Sequence, residues 1–148
     1  AEVRKHISVV GQHTRLFNTS LRQNLLIANP KASDAELINA LEDVSFGPTL
    51  RQLPDGLDTR LSVLGAPFQS VEVLLLKLAA AILAHPKVLV LNQRFDNVLG
   101  HAREHIMQVL EQQPFTVLYF TSYPDNSFFD GCLQLTLTDN DPEAQGND

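Results

Sequence analysis

The sequence predicts an α/β fold with a mainly parallel sheet and a helical insert. Three short apolar runs, at 7–10, 88–91 and 116–120, have the length and composition of strands. The 77 residues between the first two runs show helical spacing and turn signals but no strand pattern. Helical patterns also precede the second and the third run, which is the alternation typical of parallel sheets.

The first half of the chain contains two helix-start signals after the strand at 7–10. Ser20 with Gln23 fits a capping box that opens a short helix, which Asn29-Pro30 ends near Ala28. Residues 33–36, Ser-Asp-Ala-Glu, predict a second capping box, and apolar spacing extends that helix to Gly47-Pro48. We expect a short helical turn at 49–53, then a mostly irregular connection over 57–67.

The best-defined stretch runs from 68 to 93. From 73 to 83 the only charge is Lys77 among Leu, Ala, Ile and Val, which predicts a buried helix that stops before Pro86. The run at 88–91 is typical of a parallel strand covered on both faces. Asn92 and Gln93 follow it, at the strand end where open α/β sheets bind ligands.

The last third of the chain is predicted to add a loop at 94–100, an amphipathic helix at 101–112 and a buried strand at 116–120. Residues 132–138 alternate like a more exposed strand. Residues 139–148 are acidic and lack apolar periodicity, which predicts a flexible tail.

Composition limits the classes of function. The chain has 148 residues, is 44% hydrophobic and 19% charged, and carries a net charge of −6. This charge and the lack of a basic cluster argue against a nucleic-acid partner. One cysteine, Cys132, excludes an internal disulfide and favours a reducing compartment. No apolar run is long enough to span a bilayer.

Residues 68–91 resemble the ATPase domain of ABC transporters. That family reads roughly LSGGE-x-QRLALARALL-x-x-P before an apolar strand that ends in Asp-Glu, and FQSVE at 68–72 stands where LSGGE belongs without a gap. Four further pieces are similar to exporter-type members, in the right order: 3–12, 16–25, 53–59 and 116–122.

The resemblance implies a fold, a domain division and a cofactor. We expect a partial P-loop NTPase with a RecA-like core over 1–138, an ABC-type helical subdomain at roughly 18–85, and the tail at 139–148. The phosphate-binding GxxxxGK[ST] motif of the family is absent from this sequence, which also begins with Ala rather than Met. We therefore expect a piece of a longer protein, whose whole form would bind ATP and Mg²⁺ if any does. Residues 1–148 alone are expected to bind ATP weakly or not at all.

The resemblance also assigns the site residues, most of which have altered chemistry. Gln12 stands at the family's Q-loop glutamine, which touches Mg²⁺. Asn92 replaces the metal-binding Asp and would hold Mg²⁺ weakly, because a neutral amide lacks the charge of a carboxylate. Gln93 replaces the catalytic Glu and cannot take a proton from water. Ser122 replaces the histidine of the H-loop. An alternative stays open in which Asn92 and Gln93 only cap the strand.

The signature segment would contact the nucleotide of a partner domain through Gln69, Ser70, Val71 and Glu72. Ser70 and Val71 replace paired glycines, and the β-branched Val71 would crowd a phosphate or disfavour the turn. Leu99 stands where the family has the Asp of its D-loop.

These assignments predict a degenerate nucleotide-binding domain of an ABC exporter, in which hydrolysis is impaired or absent. Its partners would be a transmembrane domain, on the same or another chain, and a second nucleotide-binding domain. It would lie at the cytoplasmic face of a membrane, the inner membrane in a bacterium. Two alternatives remain: a scaffold or regulatory module that binds no nucleotide, and an active ATPase with unusual residues. The sequence leaves open whether the whole protein is an enzyme, and no activity is expected from this piece.

Overall fold

In the part of the chain that the structure describes, three parallel strands form a sheet in the order β1-β2-β3. The structure, a computed structural model, describes residues 7–10 and 16–121. Strand β1 is Ile7–Val10, β2 is Val88–Leu91 and β3 is Thr116–Tyr119, and β2 pairs with both neighbours in parallel. The predicted α/β class and the three strand positions are thus confirmed. The predictions for 132–138 and for the tail lie outside the described residues.

Among the described residues, four α-helices and one 3₁₀ helix, Gly56–Asp58, lie between β1 and β2. Helix α1 is Leu21–Ala28, α2 is Asp34–Asp43, α3 is Gly47–Gln52 and α4 is Ser70–Leu83. Helix α4 packs against α1, α2 and β1, and Leu76, Leu78 and Ala79 in its middle are buried. This apolar helix therefore joins the helical insert to the sheet.

The two predicted helix starts are present. The Ser20 hydroxyl oxygen accepts a hydrogen bond from the Gln23 N–H at 3.1 Å. Ser33 and Glu36 form a reciprocal capping box, in which the Ser33 hydroxyl accepts from the Glu36 N–H at 3.2 Å. These side chains satisfy backbone donors that a helix start leaves without an intrahelical acceptor. At the start of α1 the Leu21 N–H also donates to the distant Thr59 carbonyl at 2.7 Å.

The expected end of α2 at Gly47-Pro48 is wrong. The helix ends at Asp43, and Ser45 takes a positive φ of 65°, which redirects the chain. Gly47 and Pro48 instead open α3, because proline suits the first turn of a helix, where its missing N–H would have no intrahelical partner.

One face of the sheet is buried and the other is not, contrary to the expectation that β2 is covered on both faces. On the buried face, Val10, Leu89 and Leu91 join one hydrophobic core with α4 and with α5, Gly100–Glu111. On the opposite face, Ile7, Val9 and Leu118 are exposed, and Val88 and Val90 are only partly buried. An unbroken apolar strand therefore indicated burial that the described residues do not provide.

The described helices do not include a membrane span. Within 7–10 and 16–121, none is both long enough and apolar enough to cross a bilayer.

Candidate functional site

The amide pair lies where the sequence places it, directly after β2. Asn92 donates its backbone N–H to the Val10 carbonyl at 3.2 Å, which extends the pairing of β2 with β1 by one step. Gln93 is exposed and begins a 3₁₀ helix, Gln93–Asn97. The amide pair thus sits at the carboxyl end of the central strand.

The Asn92 side chain has a structural role at this position. Its Oδ1 accepts a hydrogen bond from the Arg94 N–H at 2.9 Å, so it caps the 3₁₀ helix. Asn and Asp both favour such caps. This contact supports the open alternative for Asn92, in which the residue ends a strand and starts a turn.

The segment 68–72 lies at the start of α4. Gln69 is the N-cap, and its N–H donates to Oε1 of Glu72 at 3.0 Å, while Oε2 of Glu72 accepts from the Thr49 hydroxyl at 3.2 Å. Phe68 packs edge-to-face on Phe46, with ring centroids 5.3 Å apart. Glu72 therefore secures this helix start and links it to α3.

Ser70 and Val71 occupy the first turn of α4, where no glycine conformation is required. The described non-glycine residues with positive φ are Ser45 and His85, so Val71 has ordinary helical geometry. Val71 is therefore accommodated in this helical turn, and its crowding of a phosphate stays a prediction. The positive φ is found instead at Gly65, whose φ is 98° and where a Cβ would lie 2.3 Å from Cγ2 of Val73.

A cleft of about 440 Å³ brings two of the predicted segments together. Ser70 and Val71 line it from α4, and Arg94 and Asn97 line it from the turn after Gln93. Lys77 also lines it, and the pKa of Lys77 is lowered by partial burial and by the charge of Arg94. Asn92 and Gln93 immediately precede Arg94 in the sequence, but they do not line this cleft.

A polar cluster that the sequence did not predict lies beside the amide pair. Asp96 Oδ1 accepts hydrogen bonds from the hydroxyls of Tyr119 and Thr121, and Arg103 donates to the Tyr119 hydroxyl at 3.0 Å. The Arg103 guanidinium also lies 5.3 Å from the centroid of the Tyr119 ring. The only sequence signal was an acidic residue three positions after Gln93.

This cluster fixes the turn after β2 to the end of β3. Phe95, adjacent to Asp96, is buried and packs edge-to-face on the Tyr119 ring, with ring centroids 6.4 Å apart. Both ends of the turn are therefore anchored, by Asn92 at its start and by Phe95 and Asp96 further on. These side-chain contacts tie the turn to the carboxyl edge of the sheet.

Tyr119 should ionise above the ordinary tyrosine range. Burial raises the pKa of Tyr119 and its hydrogen bond to Asp96 adds to the increase, against the opposing effect of Arg103. Because the folded-state pKa is raised, the neutral phenol stabilises the fold fully below about pH 10, the ordinary tyrosine value, and this stabilisation is lost as the pH rises further.

The Tyr119 ionisation can be measured by absorbance at the tyrosinate band in a Tyr123→Phe background, which leaves Tyr119 as the single tyrosine. We expect a midpoint above that of the urea-unfolded chain. Equal midpoints in the folded and the unfolded chain would contradict the raised pKa. Tyr119→Phe is the blank, because it removes the signal.

The remaining predicted site residues are not brought together by the described structure. Gln12 and Ser122 lie outside it, and Leu99 is exposed and immediately precedes α5. Within residues 7–10 and 16–121 no group of three or more His, Cys, Asp or Glu side chains could hold a metal. Of the two predicted metal-binding residues, Asn92 lies within the described residues and Gln12 does not.

Comparison with known proteins gives consistent matches. The chain is 33% identical over 113 residues to an ATP-dependent lipid A-core flippase of Alcanivorax borkumensis, covering 76% of this chain and 19% of the flippase. It is 32% identical over 108 residues to the cyclolysin secretion/processing ATP-binding protein CyaB of Bordetella pertussis, covering 73% and 15%. It is 33% identical over 110 residues to a putative ABC transporter B family member 8 of Arabidopsis thaliana, covering 74% and 9%. This chain is a relative of the ABC transporters.

The fold agrees with that relationship. A bacterial Atm1-family ABC exporter, solved with ATP bound, superposes with a TM-score of 0.71 at 20% identity, over 80% of this chain and 21% of the exporter chain. No protein-family model matches the sequence. This ABC-related chain spans between 8% and 19% of the length of the curated relatives. The resemblance seen in the sequence is confirmed.

Proposed function

We propose that this chain is part of a degenerate nucleotide-binding domain of an ABC exporter, which couples ATP binding to transport with hydrolysis impaired or absent. The observation that carries the proposal is the amide pair, Asn92 and Gln93, at the carboxyl end of the central strand of an ABC-related sheet. The other altered positions, Ser122 and the signature residues Ser70 and Val71, support it. The proposal includes a RecA-like P-loop core, with the helical subdomain at roughly 18–85.

The chemistry of the amide pair favours binding over hydrolysis. A carboxylate attracts Mg²⁺ by its charge, whereas the Asn92 amide offers only a neutral oxygen, which here already accepts from the Arg94 N–H. Gln93 cannot act as a general base, a contribution usually worth about 10²- to 10⁴-fold in rate. An ATP-binding site with these residues would therefore hold nucleotide without efficient turnover.

Cofactor and partners follow from the relatives and remain proposals. In the whole protein the cofactors would be ATP and Mg²⁺, with Gln12 and Asn92 near the metal and residues 69–72 facing the nucleotide of a partner domain. Residues 1–148 alone would bind ATP weakly or not at all, because the sequence has no GxxxxGK[ST] cradle. The partners would be a transmembrane domain and a second nucleotide-binding domain, at the cytoplasmic face of the membrane.

A second function is favoured by the side-chain contacts that anchor the turn after β2. Asn92, Phe95 and Asp96 all contribute to anchoring that turn, so its contacts suit a fixed scaffold. On this alternative the domain is a regulatory or interaction module that binds no nucleotide.

Titration of Mg-ATP into the whole protein distinguishes the two functions. We expect saturable heat, and we expect Asn92→Asp to strengthen Mg-ATP binding because a carboxylate restores the missing charge. Asn39→Asp is the matched control, since it adds the same charge at an exposed position of α2 and should change nothing. Absence of saturable heat, with and without Mg²⁺, would favour the scaffold over nucleotide binding.

A further inference from the structure

The cleft beside α4 carries two positive charges that come from different elements of the fold. Lys77 lines it from α4, and Arg94 lines it from the 3₁₀ helix after β2. Two uncharged polar side chains also line it, Ser70 from α4 and Asn97 from the 3₁₀ helix. Of the described residues that line this cleft, none is acidic. We call Ser70, Lys77, Arg94 and Asn97 the basic cleft.

Lys77 is an unusual residue for its position. It is the only charged residue from 73 to 83, among Leu, Ala, Ile and Val, and it is partly buried. In the ABC pattern LSGGE-x-QRLALARALL the same position is an alanine, so the charge is a feature of this chain. Helix formation does not explain the lysine, because alanine is the better helix former. The charge therefore calls for a reason other than the stability of α4.

The charges of Lys77 and Arg94 lie close enough to influence each other. Partial burial lowers the pKa of Lys77, and the charge of Arg94 lowers it further. Two like charges in a partly enclosed cleft repel each other, whereas an anion placed between them would attract both. A perturbed ionisable group in a cleft is typical of a binding site.

The carboxylates nearest in sequence to the basic cleft contact other groups. Glu72 accepts hydrogen bonds from the Gln69 N–H at 3.0 Å and from the Thr49 hydroxyl at 3.2 Å. Asp96 accepts a hydrogen bond from the Tyr119 hydroxyl. Neither carboxylate lines the cleft. The lining that the described residues provide is therefore suited to an anion rather than to a cation.

We propose that the basic cleft binds a phosphate-bearing anion, with Lys77 and Arg94 neutralising its charge and Ser70 and Asn97 donating hydrogen bonds. Arginine offers phosphate oxygens a planar set of donors, and lysine binds them as a point charge. The cleft volume of about 440 Å³ lies within the range of about 300–1,000 Å³ that is usual for ligand clefts. This inference goes beyond the proposed function, because it requires neither the amide pair nor hydrolysis.

Lysine footprinting of the whole protein in the absence of Mg²⁺ tests the proposal. Inorganic pyrophosphate is the probe, an amine-reactive ester is the reagent, and peptide mass spectrometry gives the acylation rate at each lysine. At about ten times the Kd of pyrophosphate, about one molecule in eleven stays unliganded, so acylation of Lys77 should slow about tenfold. Lys31, exposed between α1 and α2, is the internal control and should react at an unchanged rate. The reference sample contains KCl at the same ionic strength, which removes differences in screening.

Substitution of Arg94 tests whether the protection arises in the cleft. Arg94→Gln removes one of the two charges and should abolish most of the protection of Lys77. Arg60→Gln is the matched control, because it removes the same charge from an exposed residue that does not line the cleft, and it should leave the protection intact. Circular dichroism checks that both variants are folded, and the comparison of Lys77 with Lys31 in the natural sequence needs no variant.

Three results would overturn the proposal. They are an unchanged rate at Lys77, equal slowing at Lys77 and Lys31, and protection of Lys77 that survives Arg94→Gln. Repeating the footprint with ATP, again without Mg²⁺, identifies the source of the phosphate. Protection at a lower concentration of ATP than of pyrophosphate would support a nucleotide, and the reverse order would support an inorganic phosphate.

Failure of this proposal can be distinguished from failure of the proposed function. Absence of saturable heat from Mg-ATP, together with protection of Lys77 by pyrophosphate, would overturn nucleotide binding and still support the basic cleft. Saturable heat from Mg-ATP without any protection of Lys77 by pyrophosphate or by ATP would overturn the basic cleft alone.

Discussion

Replacing Phe95 by alanine is expected to lower the free energy of unfolding by about 3–5 kcal/mol. Phe95 is 1% exposed, contacts the Tyr119 ring and anchors the 3₁₀ helix that follows Asn92. The substitution removes a large apolar side chain and leaves a cavity beneath that helix. Small domains have a total stability of about 5–15 kcal/mol, so this loss is a large share of it.

Urea denaturation followed by circular dichroism measures this effect through the midpoint and the slope of the transition. The matched control is Phe17→Ala, because Phe17 is 46% exposed and its removal should cost less than about 1 kcal/mol. Similar losses for Phe95→Ala and Phe17→Ala would show that the turn after β2 is not anchored by its aromatic side chain.

The second large effect concerns hydrolysis in the whole protein. The combined substitution Asn92→Asp, Gln93→Glu and Ser122→His is expected to raise the rate of phosphate release from ATP by about 10²- to 10⁴-fold. The reason is that a carboxylate at position 93 can accept a proton from water, whereas an amide cannot. The other two changes restore the charge near Mg²⁺ and the imidazole that the family resemblance implies.

The informative control carries Asn92→Asp and Ser122→His but keeps Gln93. It should bind Mg-ATP like the triple variant and release little phosphate, which separates binding from proton transfer. If the natural protein already hydrolyses ATP as fast as the triple variant, the proposal that hydrolysis is impaired in this domain is wrong. The protein would then be an ATPase that uses other residues.

These two predictions test different properties of the same turn. Phe95→Ala tests whether packing holds the turn in place, and the triple variant tests whether the residues at its start have lost their chemistry. If both expectations hold, the turn after β2 is held in place by packing and lacks the side chains that hydrolysis needs. Phosphate release requires bound ATP, so that outcome would favour the nucleotide-binding function over the scaffold, and the Mg-ATP titration would test binding by the natural sequence directly.

Several parts of the fold could be predicted from local sequence because local forces determine them. Ser20 and Ser33 start helices by accepting bonds from nearby N–H groups, and Pro86 lies just beyond the end of α4. The predicted end of α2 is wrong because Gly47-Pro48, a pair that often stops a helix, can also begin one, as it does in α3. Resolving that ambiguity takes contacts from elsewhere, such as the Ser45 hydroxyl bond to the Ala102 carbonyl at 3.3 Å.

Only the part of the candidate site that consists of residues adjacent in sequence could be predicted. The position of Asn92 and Gln93 after β2 came from an apolar run followed by two amides. The cluster of Asp96, Arg103, Tyr119 and Thr121 could not be predicted. Its side-chain hydrogen bonds join residues up to 25 positions apart in the sequence. No periodicity or short motif encodes such a contact.

The sequence by itself determined the order of strands and helices, the place of the amide pair and the relationship to ABC transporters, since each depends on the spacing of neighbouring residues. Only the tertiary structure decided that the Asn92 amide caps a turn and that, within residues 7–10 and 16–121, one face of the sheet is exposed. Burial is a property of what packs against a residue. The apolar composition of a strand therefore indicates that both of its faces favour burial, and only the folded structure shows which face is buried.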